Sequence, residues 1–162
     1  SNLVHVLDGG LKKWIFENKK ISDKVVKNVV TKYVAKENKN MIKFKRQVEK
    51  NIKTKEFTLI DARSKNRFLG LEPEPRSDVK SGSIKNSKSL PFSELINKKN
   101  NTFLDKKDLK KKFDSAKING LKIVSSCGSS VTAATLALAY SLINDDYMPK
   151  IYIGSWTEYG KR

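Results

Sequence analysis

Apolar residues in this chain fall into short runs separated by lysine- and asparagine-rich stretches, and the runs set out strands alternating with helices. Leu3-Val4-His5-Val6-Leu7 predicts a short strand, ended by Asp8-Gly9-Gly10, with Leu11 to Trp14 opening a helical turn. Phe16 to Asn28 is lysine-rich with no strong period and is expected to be a linker, whereas the β-branched run Val29 to Val34 predicts a strand. Asn38 or Asn40 is expected to cap a helix carrying Met41, Ile42, Phe44, Val48 and Ile52. Phe57-Thr58-Leu59-Ile60-Asp61 reads as a buried strand ending in a carboxylate, followed by a long loop from Ala62 to Lys80. Lys88 to Leu90 is a minimal strand closed by Pro91; Ser93 or Asn97 opens a short helix, and Asp105 opens another through Phe113 and Ala116. Leu121 to Ser125 is a further core strand, Cys127-Gly128-Ser129-Ser130 a tight turn, and Thr132 to Ile143 an apolar helix. Ile151-Tyr152-Ile153 is the last strand, followed by Gly154 and an aromatic turn from Trp156 to Tyr159.

This order predicts an α/β layer fold with a mainly parallel sheet. Sites in such sheets form outside the carboxyl ends of strands, and two ends carry distinctive chemistry: Asp61-Ala62-Arg63 and Ser125-Ser126-Cys127. A weak internal echo links Val6 to Trp14 with Ile151 to Tyr159 at an offset of 145 residues. It predicts that the first residues are the tail of a preceding copy of the same domain.

Composition narrows the partners. The chain has 162 residues, room for one domain with a short appendage, and no apolar run long enough for a membrane helix. Lys and Arg number 34 against 17 Asp and Glu, a formal charge of +17 that invites nucleic acid. Only five of the 34 are arginine, and the lysines are scattered from Lys12 to Lys161, so the charge reads as a basic surface without a specific nucleic-acid footprint. The five arginines stand out against that bias, and three of them fall in the loop after Asp61. One cysteine and one histidine, His5, exclude an intrachain disulfide and argue against a cysteine- or histidine-based metal centre.

Cys127 lies between a buried strand and a helix, where Gly128-Ser129-Ser130-Val131 aims backbone N–H groups at one point and the helix N-terminus favours negative charge. The thiolate is stabilised there, with the hydroxyls of Ser129, Ser130 and Thr132 as further candidate donors. The flanking residues separate the possible chemistries. His5 is far away in sequence, against a papain-like pair. Ala133 stands where a C-x5-R phosphatase needs arginine, and Ser130 stands where C-x-x-C redox exchange needs cysteine. A loop of bare amides around a thiolate suits accepting a sulfur atom and cradling the anionic persulfide.

Cys127-Gly128-Ser129-Ser130-Val131-Thr132-Ala133 resembles the active-site loop C-G-S-G-V-T-A of the rhodanese superfamily, in its 3-mercaptopyruvate sulfurtransferase form. Leu59 to Arg63, Arg67-Phe68-Leu69-Gly70 and Glu72-Pro73-Glu74-Pro75-Arg76 resemble the same family's substrate segment. Ser81-Gly82-Ser83-Ile84 to Leu90-Pro91-Phe92 resembles its G-H-I-P-G…N-I-P-F stretch, and Ile153 to Tyr159 its G-S-W-x-E-W close. The resemblance implies a three-layer fold with a mainly parallel five-stranded sheet and helices on both faces. It further implies residues 1–30 as the tail of a preceding domain plus linker, with residues 31–162 as the catalytic domain. By the same resemblance Cys127 is the nucleophile, Ser129 assists proton movement, and Arg67 and Arg76 bind the substrate carboxylate and keto oxygen. Gly128, Ser129, Ser130, Val131 and Thr132 cradle the persulfide. The donor is a small molecule, the acceptor a thiol such as thioredoxin or a low-molecular-weight thiol, or cyanide. The resemblance implies no cofactor, no metal, no membrane partner, a missing N-terminal rhodanese domain and a cytoplasmic or mitochondrial location. Two rival readings are a thiosulfate sulfurtransferase, against which Gly128 counts because thiosulfate favours a basic residue there, and a noncatalytic rhodanese-like binding module. Arg63 and Asp61 are expected to form an internal ion pair that orders the loop, and Trp156 and Tyr159 to pack the closing turn. Ser130 replaces the usual glycine, and in a positive-φ conformation it costs about 1 kcal/mol.

Overall fold

The buried runs of the sequence become five short parallel strands, β1 Ile42–Lys43, β2 Thr58–Asp61, β3 Lys88–Ser89, β4 Ile123–Ser126 and β5 Lys150–Tyr152. They form one sheet in the order β1-β5-β4-β2-β3 in a computed structural model that describes residues 5–118, 120, 122–144 and 147–162. Among the described residues six α-helices accompany them: α1 Gly10–Phe16, α2 Lys45–Thr54, α3 Lys65–Leu69, α4 Lys106–Ser115, α5 Val131–Ser141 and α6 Ser155–Tyr159. The side-chain alternation of a strand divides the core between two layers. Ile60 and Ile123 pack with Leu109 and Phe113 of α4 and with Leu136, Ala139 and Tyr140 of α5. Leu59, Val124 and Tyr152 face the other way, onto Val48 of α2 and Trp156 of α6. Both faces are therefore covered, which is why the strands read as continuous apolar runs.

The connections from β2 and β4 run to opposite sides of these neighbouring strands, because β2 leads to β3 and β4 leads to β5. Such a divergence opens a crevice at the carboxyl ends. The register puts Asp61 beside Ser126 and ties Ala62 N–H to the Ser126 carbonyl at 2.9 Å, so Arg63 and Cys127 emerge side by side.

Several expectations are corrected. Leu3, Val4 and Leu121 lie outside the described residues, and His5 to Leu7 form no strand and are exposed. Val29 to Val34 also form no strand; Val30 is 96% exposed, because β-branched residues make a strand only where a partner ladder covers them. Asn38 caps only a 3-10 turn at Lys39–Met41, and Ile42 is drawn into β1 by its pairing with Ile151. The helix starts later, at Lys45, with the Phe44 N–H donating to Gln47 Oε1 at 3.0 Å. The loop from Ala62 to Lys80 contains α3, whose N-cap Ser64 accepts the Arg67 N–H. The expected cap at Asp105 is present, its carboxylate accepting the Asp108 N–H at 2.8 Å. The internal echo has a backbone counterpart: α1 and α6 begin 145 residues apart, with Gly10 at φ 58° and Ser155 at φ 49°.

Candidate active site at the carboxyl edge of the sheet

Cys127 leaves β4 and the chain turns at once into α5, an alanine- and leucine-rich helix in which the strong helix formers fall mainly between Ala133 and Ala139. The turn is possible because Ser130, the N-cap, adopts the left-handed conformation (φ 68°, ψ −11°). The cost anticipated for serine at this position is therefore incurred. Among the described residues, the backbone N–H groups of Gly128, Ser129, Ser130, Val131 and Thr132 have no hydrogen-bond partner. Such a run of free donors at the start of an 11-residue helix is an anion-binding arrangement. The hydroxyls expected to reach the sulfur do not: none of Ser129, Ser130 or Thr132 hydrogen-bonds Sγ among the described residues, and Ser129 is turned to solvent.

The back of this loop is pinned by α6. Trp156 N–H donates to the Cys127 carbonyl and Thr157 N–H to the Gly128 carbonyl, both at 2.9 Å. Cys127 N–H donates to Ser155 Oγ at 3.1 Å, and that hydroxyl donates in turn to the Tyr152 carbonyl at 3.0 Å. Trp156 does more than pack the closing turn: Arg63 lies over its ring, 4.8 Å from the centroid, and its indole N–H donates to the Lys80 carbonyl.

The segment after β2 is built from charged side chains. Arg63 is almost wholly buried and uses its whole guanidinium. It donates to both Asp61 oxygens, to Glu74 Oε1 at 2.7 Å and to the Gly82 carbonyl at 2.8 Å. The expected Asp61–Arg63 ion pair is thus present as part of a larger network. Glu74, 4% exposed, also takes both Nε and Nη2 of Arg67, at 3.1 and 2.5 Å. These bonds raise the Arg67 pKa, through the Glu74 hydrogen bond first. On Glu74, burial pushes the pKa up, but the hydrogen bonds and charges of Arg67 and Arg63 outweigh it and hold the carboxyl below its ordinary value.

A cleft of about 280 Å³ joins the two loops and is lined by Arg67, Glu74, Pro75, Arg76, Val79, Cys127, Gly128, Ser129, Val131, Thr132 and Thr157. The candidate nucleophile and both candidate substrate arginines therefore share one cavity, which Ser130 does not line. The two arginines differ: Arg67 is 25% exposed and held by a buried partner, whereas Arg76 is 60% exposed and pairs with Asp78 at 3.2 Å. Gly128 faces Arg67 closely, and a Cβ there would lie 3.1 Å from Nη2. A larger cleft, about 550 Å³, lies by the amino ends of β2, β4 and β5 between Lys43, Phe57, Lys122, Tyr147 and Lys150. Its described lining holds no cysteine, so the sulfur chemistry points to the smaller one. Sequence reasoning passed over the parts played by Glu74 and Ser155. The only signal for Glu74 was its place in Glu72-Pro73-Glu74-Pro75-Arg76, and for Ser155 its place opposite Gly10 in the internal echo.

Known proteins resemble this chain along its length. A family model described as a rhodanese-like domain matches residues 44–162. The 3-mercaptopyruvate sulfurtransferase of Mus musculus is 33% identical over 98% of this chain and 53% of its own length. The mitochondrial thiosulfate/3-mercaptopyruvate sulfurtransferase 1 of Arabidopsis thaliana is 44% identical over 70% of this chain and 30% of its own. Among solved structures, a 3-mercaptopyruvate sulfotransferase from Escherichia coli superposes with a TM-score of 0.76 at 26% identity, covering 92% of this chain and 55% of that one. The chain thus spans about half the length, or less, of these relatives.

Proposed function

The chain belongs to the rhodanese-like domain family, and from that premise we propose that it is a sulfurtransferase acting through a Cys127 persulfide, with 3-mercaptopyruvate as donor. The observation that carries this reading is the run of five unpartnered backbone N–H groups beginning beside Cys127 and sharing a cleft with Arg67. The Cys127 thiolate attacks the donor sulfur, the carbon–sulfur bond breaks, and its electron pair leaves on pyruvate as the enolate, which takes up a proton. Cys127 then carries the transferred sulfur as an anionic persulfide, and the amides of residues 128–132 offset that charge. An acceptor thiolate attacks the outer sulfur and restores the Cys127 thiolate, so the cycle is two half-reactions.

Arg67 and Arg76 bind the donor carboxylate and keto oxygen, and Ser129, exposed at the cleft mouth, assists proton movement. The acceptor is a thiol such as thioredoxin or a small thiol. Residues 1–30 are the tail of a preceding domain and a linker, residues 31–162 the catalytic domain, and that preceding domain supplies the other wall of the site. The mitochondrial relative favours the mitochondrial member of the two locations expected.

Thiosulfate is the rival donor, since relatives of both names are found. The closeness of Arg67 to Gly128 favours mercaptopyruvate, because a basic side chain at position 128 would push that guanidinium aside. Sulfur transfer measured with each donor, for the protein and for Cys127→Ser, tests the reading. The expected result is higher kcat/KM with mercaptopyruvate and loss of transfer in the variant. Equal activity in both proteins contradicts it.

A further inference from the structure

Every element of the sulfur loop described so far depends on peptide planes being held in one orientation. In a trans peptide the N–H of one residue points away from the carbonyl of the residue before it. The Cys127 and Gly128 carbonyls are fixed onto α6 by the Trp156 and Thr157 N–H groups. The Gly128 and Ser129 N–H groups therefore point away from α6, to the open side of the loop. The remaining group of this stretch, the buried Cys127 N–H, is taken up by Ser155 Oγ, and the same hydroxyl donates to the Tyr152 carbonyl. Ser155 is fully buried, so no solvent replaces that bond.

A second observation bears on the same residue. Ser155 holds a left-handed backbone, φ 49°, which a residue with a Cβ adopts at a cost. The internal counterpart of Ser155 is Gly10, at φ 58°, where a similar turn opens α1. The turn that backs Cys127 carries a serine in place of that glycine, despite the conformation.

We propose that Ser155 is the positioning residue of the sulfur-accepting loop, its hydroxyl holding the Cys127 main chain so that the amides beyond it stay aimed at the sulfur anion. This rests on the reading of Cys127 as nucleophile given above. The charged groups facing Cys127 in the cleft are Arg67 with its partner Glu74, and Arg76; α5 and α6 contribute the uncharged Val131, Thr132 and Thr157. None of these is altered by a change at Ser155.

The test is the pH profile of Cys127 alkylation by iodoacetamide in the intact protein, for the wild type, Ser155→Ala and Ser155→Gly. Ser155→Gly removes the hydroxyl while relieving the left-handed backbone, so it separates the hydrogen bond from the strain. The expected result is a midpoint displaced to higher pH in both variants, with alkylation at neutral pH slowed about tenfold and the alkaline plateau kept. In sulfur transfer, kcat falls by a similar factor while the donor KM stays near the wild-type value, since Ser155 does not line the cleft. A Ser155→Gly protein with the wild-type profile overturns the proposal, and that variant decides alone if Ser155→Ala fails to fold. Alkylation needs no sulfur donor, so its outcome is independent of the donor assignment. A wild-type protein whose alkylation matches Cys127→Ser at every pH overturns the nucleophile reading itself, and this proposal with it.

Discussion

The two loops that meet at the carboxyl edge of the sheet are made of different materials. After β2, the site is a chain of charged side chains, Asp61, Arg63, Glu74 and Arg67, each fixed by its neighbours. After β4, it is main chain: free amides held in place from behind by α6. The side-chain half depends on charge balance, because a buried arginine that loses its carboxylate is left with an uncompensated charge. The main-chain half depends on conformation, because its donors are present in any sequence and only their directions are at stake. Substitutions should therefore damage the two halves in different ways.

The largest effect is expected in the side-chain half. Glu74→Gln removes the one carboxylate shared by Arg63 and Arg67 and should destabilise the fold by about 3 kcal/mol, read as a lowered urea midpoint. A pH dependence follows. The arginines hold Glu74 ionised below its ordinary range, so their contribution is complete above the pKa of the unfolded carboxylate, about 4.3. It is lost as pH falls through the lower folded value. The stability gap between the wild type and Glu74→Gln should accordingly close in acid, and a gap that stays constant with pH would remove Glu74 from the network.

A middle-sized effect separates the two cleft arginines. Arg67→Lys should raise the mercaptopyruvate KM about tenfold, since Glu74 pre-orients a fork that lysine lacks. Arg76→Lys should raise it about threefold, because Arg76 is exposed and its pair with Asp78 is screened by solvent. Equal effects would mean that pre-orientation by Glu74 does not matter; an unchanged KM in Arg76→Lys would take Arg76 out of the site.

The smallest effect belongs to the main-chain half. Ser130→Gly relieves the left-handed backbone at the α5 N-cap and makes no new contact, so the Tm should rise, by at most about 1 kcal/mol in stability, with transfer unchanged. A fall in Tm would show that the Ser130 side chain supports the turn.

How much of this was visible in the sequence follows from the same division. Phe57 to Asp61 and, from Ile123, the run to Ser125 announced their strands because both faces of the sheet are covered, and Cys127 announced its loop through the glycine and hydroxyl residues around it. The valines from Val29 to Val34 carried the same apolar signal and misled, since a strand also needs a partner that local composition does not reveal. The Arg63 network joins positions 61, 63, 74 and 82 only because the loop folds back on itself, and no local spacing encodes that. The left-handed turn at Ser155 was hidden behind a residue that seldom adopts it, although its alignment with Gly10 in the internal echo was the available clue.

The central claim is that the main-chain half exists to hold sulfur on Cys127, and the mass of the intact protein after exposure to 3-mercaptopyruvate tests it most directly. The account predicts one added sulfur atom on the wild type, removed by a reducing thiol, and none on Cys127→Ser. An unmodified wild type, or the same added mass on both proteins, would contradict it.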